Sequence, residues 1–127
     1  MSDFAELLAP FRGRLPQLSS AQLNRLSAHF ELLLRWNKVL NLSAIRVEAE
    51  IVERHYCESL FLAGALAPQP LKIADLGSGA GFPGIPLAIL RPDCTVSLIE
   101  SHLRKSVFLR EAVRDVENAR VLPQRAE

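Results

Sequence analysis

No stretch of this 127-residue chain approaches the ~18–20 consecutive apolar residues that a membrane-spanning helix needs. The first residues, Met1 to Phe11, hold no basic cluster ahead of an apolar run, so no secretory signal is expected there. There are only two cysteines, Cys57 and Cys94, and they are far apart and without metal-ligand spacing. They read as buried free thiols of a reducing cytoplasm. Neither charge sign dominates, with 15 Lys+Arg against 14 Asp+Glu and a net charge of +1. That balance excludes a strongly basic nucleic-acid module of the histone or basic-arm type, though not a local basic face. Internal repeats and low-complexity tracts are also absent. What remains, 49% hydrophobic and 23% charged, is the composition of a globular chain.

The two parts of the chain follow different patterns. Residues 1–70 read as a helical N-terminal segment. Asp3 is placed to cap a short helix whose apolar positions Phe4, Leu7, Leu8 and Phe11 recur at helical spacing, and Pro16 lies in the break after it. Ser20 is expected to cap a longer helix carrying Leu23, Leu26, Phe30, Leu33 and Leu34, with Asn37 and Asn41 marking the turn at its end. A third helix is expected from about Val47 to Leu66, burying Ile51, His55, Leu62 and Leu66. Pro68 and Pro70 then stop helical structure.

Residues 71–127 change period. Leu71–Asp75 is a short apolar run ending in an acid, and Leu76–Gly84 is glycine-rich. Ile85–Leu90 looks helical, with Pro83 and Pro86 tolerated in the first turn. Cys94–Glu100 is a β-branched strand candidate, 102–118 a helix with Leu103, Val107, Phe108, Leu109 and Val116 apolar, and 119–124 a third short strand. Strand, loop, helix, strand, helix, strand is the beginning of a doubly wound α/β sheet. Such a sheet uses about six or seven strands. The chain alone is therefore expected to carry only the first half of one.

The sharpest chemistry lies in Asp75-Leu76-Gly77-Ser78-Gly79-Ala80-Gly81. Glycines let the backbone turn tightly and approach a ligand where a Cβ would clash. The following helix is expected to aim its free N–H groups at that ligand. Asp75 and Glu100 end neighbouring strands at the edge where open α/β sheets bind ligands. A carboxylate at Glu100 can accept both hydroxyls of a ribose. Gly79 to Gly84 also satisfies G-x-G-x-x-G, which leaves a dinucleotide such as NAD or FAD as an alternative. An acid two residues before the first glycine sits awkwardly beside a pyrophosphate, however. It suits S-adenosylmethionine, which carries an ammonium and a sulfonium and no phosphate.

The string from Asp75 to Pro86, with its Pro-Gly-Ile-Pro extension, resembles the cofactor loop of the RsmG (GidB) family of bacterial small-subunit ribosomal RNA guanine-N7 methyltransferases. Trp36-Asn37-Lys38-Val39-Leu40-Asn41-Leu42-Ser43 is similar to that family's Trp-Asn…Asn-Leu-Thr segment, with Ser43 in place of Thr. Arg54-His55-Tyr56-Cys57-Glu58-Ser59 is similar to its His…Asp-Ser segment, with Glu58 in place of Asp. Glu100-Ser101, Lys105 and Phe108-Leu109 fit further on. The resemblance implies a Rossmann-like class I methyltransferase sheet, its N-terminal half spanning 71–127. It implies S-adenosylmethionine contacts at Gly77, Gly79, Phe82, Glu100, Ala126 and Glu127, to which the loop chemistry adds Asp75 and Gly81. It also implies 16S ribosomal RNA or the small ribosomal subunit as partner, and a cytoplasmic location. The family continues past the equivalent of Glu127 through further strands and a Ser-Arg-Ala segment. A non-catalytic truncated protein is thus a second alternative.

Guanine N7 has an exposed lone pair and no proton, so no general base is assigned. His55 is read as a hydrogen-bonded structural residue, Trp36 as a helix-end aromatic sealing the core, and Asn37 and Asn41 as turn residues. Residues 1–70 hold seven basic and seven acidic residues, and 71–127 hold eight and seven. Neither half is an electrostatic magnet for RNA. Arg104, Lys105, Arg110 and Arg114 read as the solvated face of one helix.

Overall fold

The computed structural model describes residues 3–125, so Ala126 and Glu127 lie outside the described residues. Helix α1 (Phe4–Leu8) begins at Asp3, whose carboxylate accepts Ala5 N–H at 3.0 Å, and runs on as a 3-10 turn over Ala9–Arg14. Helix α2 (Ser20–Trp36) is capped by Ser19 and not by the expected Ser20. The difference is a capping box: Ser19 Oγ accepts Gln22 N–H at 3.1 Å, and the Gln22 side chain accepts Ser19 N–H at 2.8 Å. Only a residue three before Gln22 can close that reciprocal pair.

The expected third helix forms in three pieces: α3 (Glu48–Ile51), a π-helical turn (Val52–Cys57) and α4 (Glu58–Ala65). Its buried stripe is Ile51, Val52, Tyr56, Leu60 and Ala63. The expected Leu62 is 43% exposed, and Leu66 is only half-buried. The face that wins carries Tyr56, whose ring packs edge-on against Phe4 at 4.8 Å. Its hydroxyl finds a buried partner, so a ring with a polar tip displaces an aliphatic stripe.

Strands β1 (Lys72–Leu76), β2 (Thr95–Ile99) and β3 (Ala119–Leu122) form one parallel sheet in the order β1-β2-β3. Asp75 is opposite Leu98, and Leu76 opposite Ile99. Helix α5 (Gly84–Leu90) connects β1 to β2, and α6 (Leu103–Ala112) connects β2 to β3. Helix α6 is shorter than its sequence suggests. Residues 113–118 form turns in which Arg114 N–H donates to Glu111 O and Val116 N–H to Val113 O. The side chain of Asn118 donates to the carbonyls of Ala88, Arg91 and Cys94 at 2.8–3.0 Å. Drawing three carbonyls to one amide holds the chain out of helix. Leu103 and Val107, apolar in sequence, are 73% and 45% exposed.

Helices and sheet share one hydrophobic core, in which Phe30 and Tyr56 from the helical part meet Ile85, Leu98 and Phe108. Helix α2 packs on both α5 and α6, and α4 packs on α5. No helix among the described residues is long and apolar enough to cross a membrane. Cys94 is buried as expected, but Cys57 is only half-buried, and its thiol is pushed up to about 11, chiefly by desolvation.

Candidate nucleoside site at the carboxyl edge of the sheet

The loop between β1 and α5 is fixed from below by its neighbours. Ile99 O, the last carbonyl of β2, accepts Gly77 N–H at 2.8 Å and Ser78 N–H at 3.2 Å. Ser78 Oγ donates to Asp75 O at 2.9 Å. The loop can follow this path because Gly77, Gly79 and Gly81 have φ of 67°, 56° and 97°, in the region that L side chains rarely adopt. The four glycines then separate. A Cβ at Gly77 would meet nothing within 4 Å, and one at Gly79 only Gly77 O at 3.9 Å. A Cβ at Gly81 would strike the Ile85 side chain and lie 3.4 Å from His29 Nε2. One at Gly84 would meet Leu98, and Asp75 Oδ2 at 2.7 Å. The first pair borders open space and the second pair is packed.

The two strand-end acids also have different surroundings. Asp75 is buried beneath the loop, where Oδ2 accepts Gly84 N–H at 3.0 Å. Burial raises its pKa above the usual carboxylate value, and the bond from Gly84 opposes that rise. The expectation that the start of α5 aims free N–H groups at a ligand is therefore corrected. Gly84 N–H turns inward to Asp75, Ile85 N–H donates to Gly81 O, and Pro83 and Pro86 have no N–H to offer. Glu100 is 7% exposed and lies above the loop. Its Oε1 accepts Gly79 N–H at 2.7 Å and its Oε2 accepts His102 N–H at 2.9 Å. Each oxygen keeps a further lone pair for a second donor.

Phe82 is half-buried, stacked on His55 at 4.6 Å and edge-on to Tyr56 at 4.8 Å. His55 is held as a structural residue, its Nε2 being 3.0 Å from Ser43 Oγ, and burial lowers its pKa. Asn37 Oδ1 accepts Leu42 N–H at 2.9 Å and Ser43 N–H at 3.1 Å, which shapes the turn after α2. Trp36 donates from Nε1 to Glu111 at 3.0 Å and packs on Phe108.

Two residues that support the loop have no place in the sequence motif. His29 Nε2 is 2.9 Å from Ala80 O, and His29 Nδ1 is 2.7 Å from Tyr56 Oη. A carbonyl can only accept, so Nε2 carries the proton and donates to Ala80, leaving Nδ1 to accept from the tyrosine hydroxyl. Complete burial lowers the His29 pKa to about 4, mainly by desolvation, so the ring is neutral near pH 7. Tyr56 is likewise pushed well above its ordinary value by burial. The one sequence signal was a polar residue on the apolar stripe of α2, between Leu26 and Phe30.

Parallel strands, a glycine turn open on one side and a carboxylate closing the neighbouring strand form a Rossmann-like edge of the kind at which open α/β sheets take ligands. Comparison with known proteins narrows this class. The family model described as rRNA small subunit methyltransferase G matches residues 22–127. A protein named ribosomal RNA small subunit methyltransferase G from Xanthomonas euvesicatoria is 48% identical over 112 residues, covering 87% of this chain and 52% of that protein. Its namesake from Dichelobacter nodosus is 49% identical over 107 residues, covering 83% and 50%. The one from Xanthomonas campestris is 43% identical over 127 residues, covering 88% and 59%. The chain belongs to the rRNA small subunit methyltransferase G family, and it spans about half the length of the curated relatives it matches.

Proposed function

We propose that this chain forms the cofactor half of an S-adenosylmethionine-dependent methyltransferase that produces N7-methylguanine in 16S ribosomal RNA, working on the small ribosomal subunit in the cytoplasm. The observation that carries this reading is the open turn at Gly77 and Gly79, closed above by Glu100 and underlain by Asp75, with no basic side chain between residues 75 and 84. A pyrophosphate would need the free N–H groups of the following helix, and at α5 these are turned inward or replaced by proline. A cationic nucleoside without phosphate does not need them.

When bound, S-adenosylmethionine supplies an electrophilic methyl group. Its acceptor, guanine N7, offers a lone pair and carries no proton, so the residues here would need only to hold and orient the two partners. The chain's own residues bind and orient. Gly77 and Gly79 leave room for the nucleoside to lie on bare backbone. Glu100 uses its remaining lone pairs for the ribose hydroxyls. Phe82, fixed by His55 and Tyr56, offers an apolar wall. Gly81 acts beneath these as a packing residue and Asp75 as a buried negative charge. Ala126 and Glu127 follow β3 and are kept as contacts by family resemblance alone. Rate enhancement then rests on in-line placement of nucleophile and methyl carbon, with no general base and no metal required.

The test is transfer of a tritiated methyl group from S-adenosylmethionine to small ribosomal subunits. The expected product is 16S RNA that becomes cleavable by borohydride and aniline at one guanine. Label on a base nitrogen or ribose oxygen that resists this cleavage would contradict the N7 assignment.

A further inference from the structure

The near-zero net charge conceals a polarity in the fold. Residues 20–40 and 102–118, which hold α2 and α6, contain seven basic and four acidic residues, while the rest of the chain has eight and ten. Residues 48–65, from α3 to α4, contain four glutamates and one arginine. Helix α4 packs on α5, whereas α6 packs on α2 and β3, so the acidic helix and the α2–α6 pair meet the rest of the fold at different places.

Between α2 and α6 runs a groove of about 520 Å3, with Arg25, Arg35 and Arg114 on its walls. It continues past Leu32, Arg35 and Glu111 to Trp36 and Arg104. The helices are antiparallel here, because Arg25 shares its end of the groove with Arg114 and Arg35 shares the other with Arg104. Ten residues of α2 separate its two arginines, about 15 Å of helix. All four arginines are exposed, and none forms an ion pair among the described residues. Two acids also line the groove, Asp115 beside Arg114 and Glu111, which receives the Trp36 N–H. The Arg35–Arg104 end also exposes Val39 and Leu103, by 69% and 73%. That end lies at the carboxyl edge of the sheet, since α6 starts directly after Glu100.

We infer that the α2–α6 groove is a docking surface for an RNA backbone, with its four arginines contacting phosphates along a path that leads to the glycine turn. Free guanidinium groups suit bidentate phosphate contacts, and their spacing along a groove suits a strand better than a single anion. Exposed apolar groups at the site end give unstacked bases a surface to lie on. This surface rests on the RNA-modifying reading above, and the experiment separates the two.

Binding of a fluorescein-labelled RNA hairpin to the 127-residue chain is measured by anisotropy from 50 to 200 mM salt. Calorimetric titration with S-adenosylhomocysteine follows on the same samples. The double variants Arg25→Glu/Arg114→Glu and Arg35→Glu/Arg104→Glu are each expected to lose at least tenfold in RNA affinity at 50 mM salt. Their dependence of log K on log salt should flatten, with cofactor-analogue affinity unchanged. Arg12→Glu/Arg120→Glu makes the same charge change elsewhere and is expected to stay within about threefold of the native chain. The inference is overturned if the native chain does not bind the hairpin, or if the groove pairs bind like the native chain. It is also overturned if the control pair loses as much, or if the groove pairs lose affinity only for phosphatidylserine vesicles. Absent S-adenosylhomocysteine binding would contradict the proposed cofactor and leave the RNA result standing.

Discussion

The glycine loop has two halves built to different requirements. At Gly81 and Gly84 the backbone is backed by side chains: Ile85 and His29 at the first and Leu98 and Asp75 at the second border the space a Cβ would take. From Gly77 to Gly79 the backbone faces open space, and its nearest polar neighbour, Glu100, comes from another strand. Four glycines in one short motif thus serve two purposes. Substitutions in the packed half should act on folding, and those in the open half on ligand.

The largest effect is expected at Gly84→Ala and Gly81→Ala. Overpacking, joined at Gly81 by positive-φ strain, should lower the unfolding free energy by about 3 kcal/mol in urea titrations. Melting like the native chain would remove the distinction between the halves. Next comes His29. Its pKa of about 4 in the fold lies below the ordinary value of 6.5, so the unfolded chain binds the extra proton first as pH falls. The neutral ring's contribution is complete above about pH 6.5 and is lost as pH drops toward 4, on the order of 3 kcal/mol. Urea titrations across that window should show the loss in the native chain and a flatter profile in His29→Gln. Glu100→Gln is expected to cost about 1–2 kcal/mol of stability, because one amide group cannot accept from both Gly79 and His102. The smallest folding effect is expected at Gly79→Ala, about 1 kcal/mol for its left-handed backbone.

The sequence showed the open half of the loop more clearly than the packed half. Strand ends, glycine spacing and the two acids stand in the order of the chain, so Gly77, Gly79 and Glu100 could be brought together without coordinates. The inward turn of Asp75 could not, because it depends on Gly84 N–H lying closer than any ligand. His29 and Tyr56 were hidden for a similar reason. Each is a polar side chain on an apolar helix face, and the bond from His29 to Ala80 crosses 51 residues of sequence and the one to Tyr56 crosses 27. The α3–α4 stripe was displaced by a π turn, which has no signature in hydrophobic spacing. The early end of α6 has neither proline nor glycine to mark it.

The central claim is that the open half of the loop, under Glu100, receives S-adenosylmethionine. Calorimetric titration of the native chain and Gly79→Ala with S-adenosylhomocysteine, and in parallel with NADH, tests it most directly. Saturable S-adenosylhomocysteine binding that Gly79→Ala weakens at least tenfold in a folded protein, with no response to NADH, is the expected result. Tight NADH binding without a response to S-adenosylhomocysteine would contradict it.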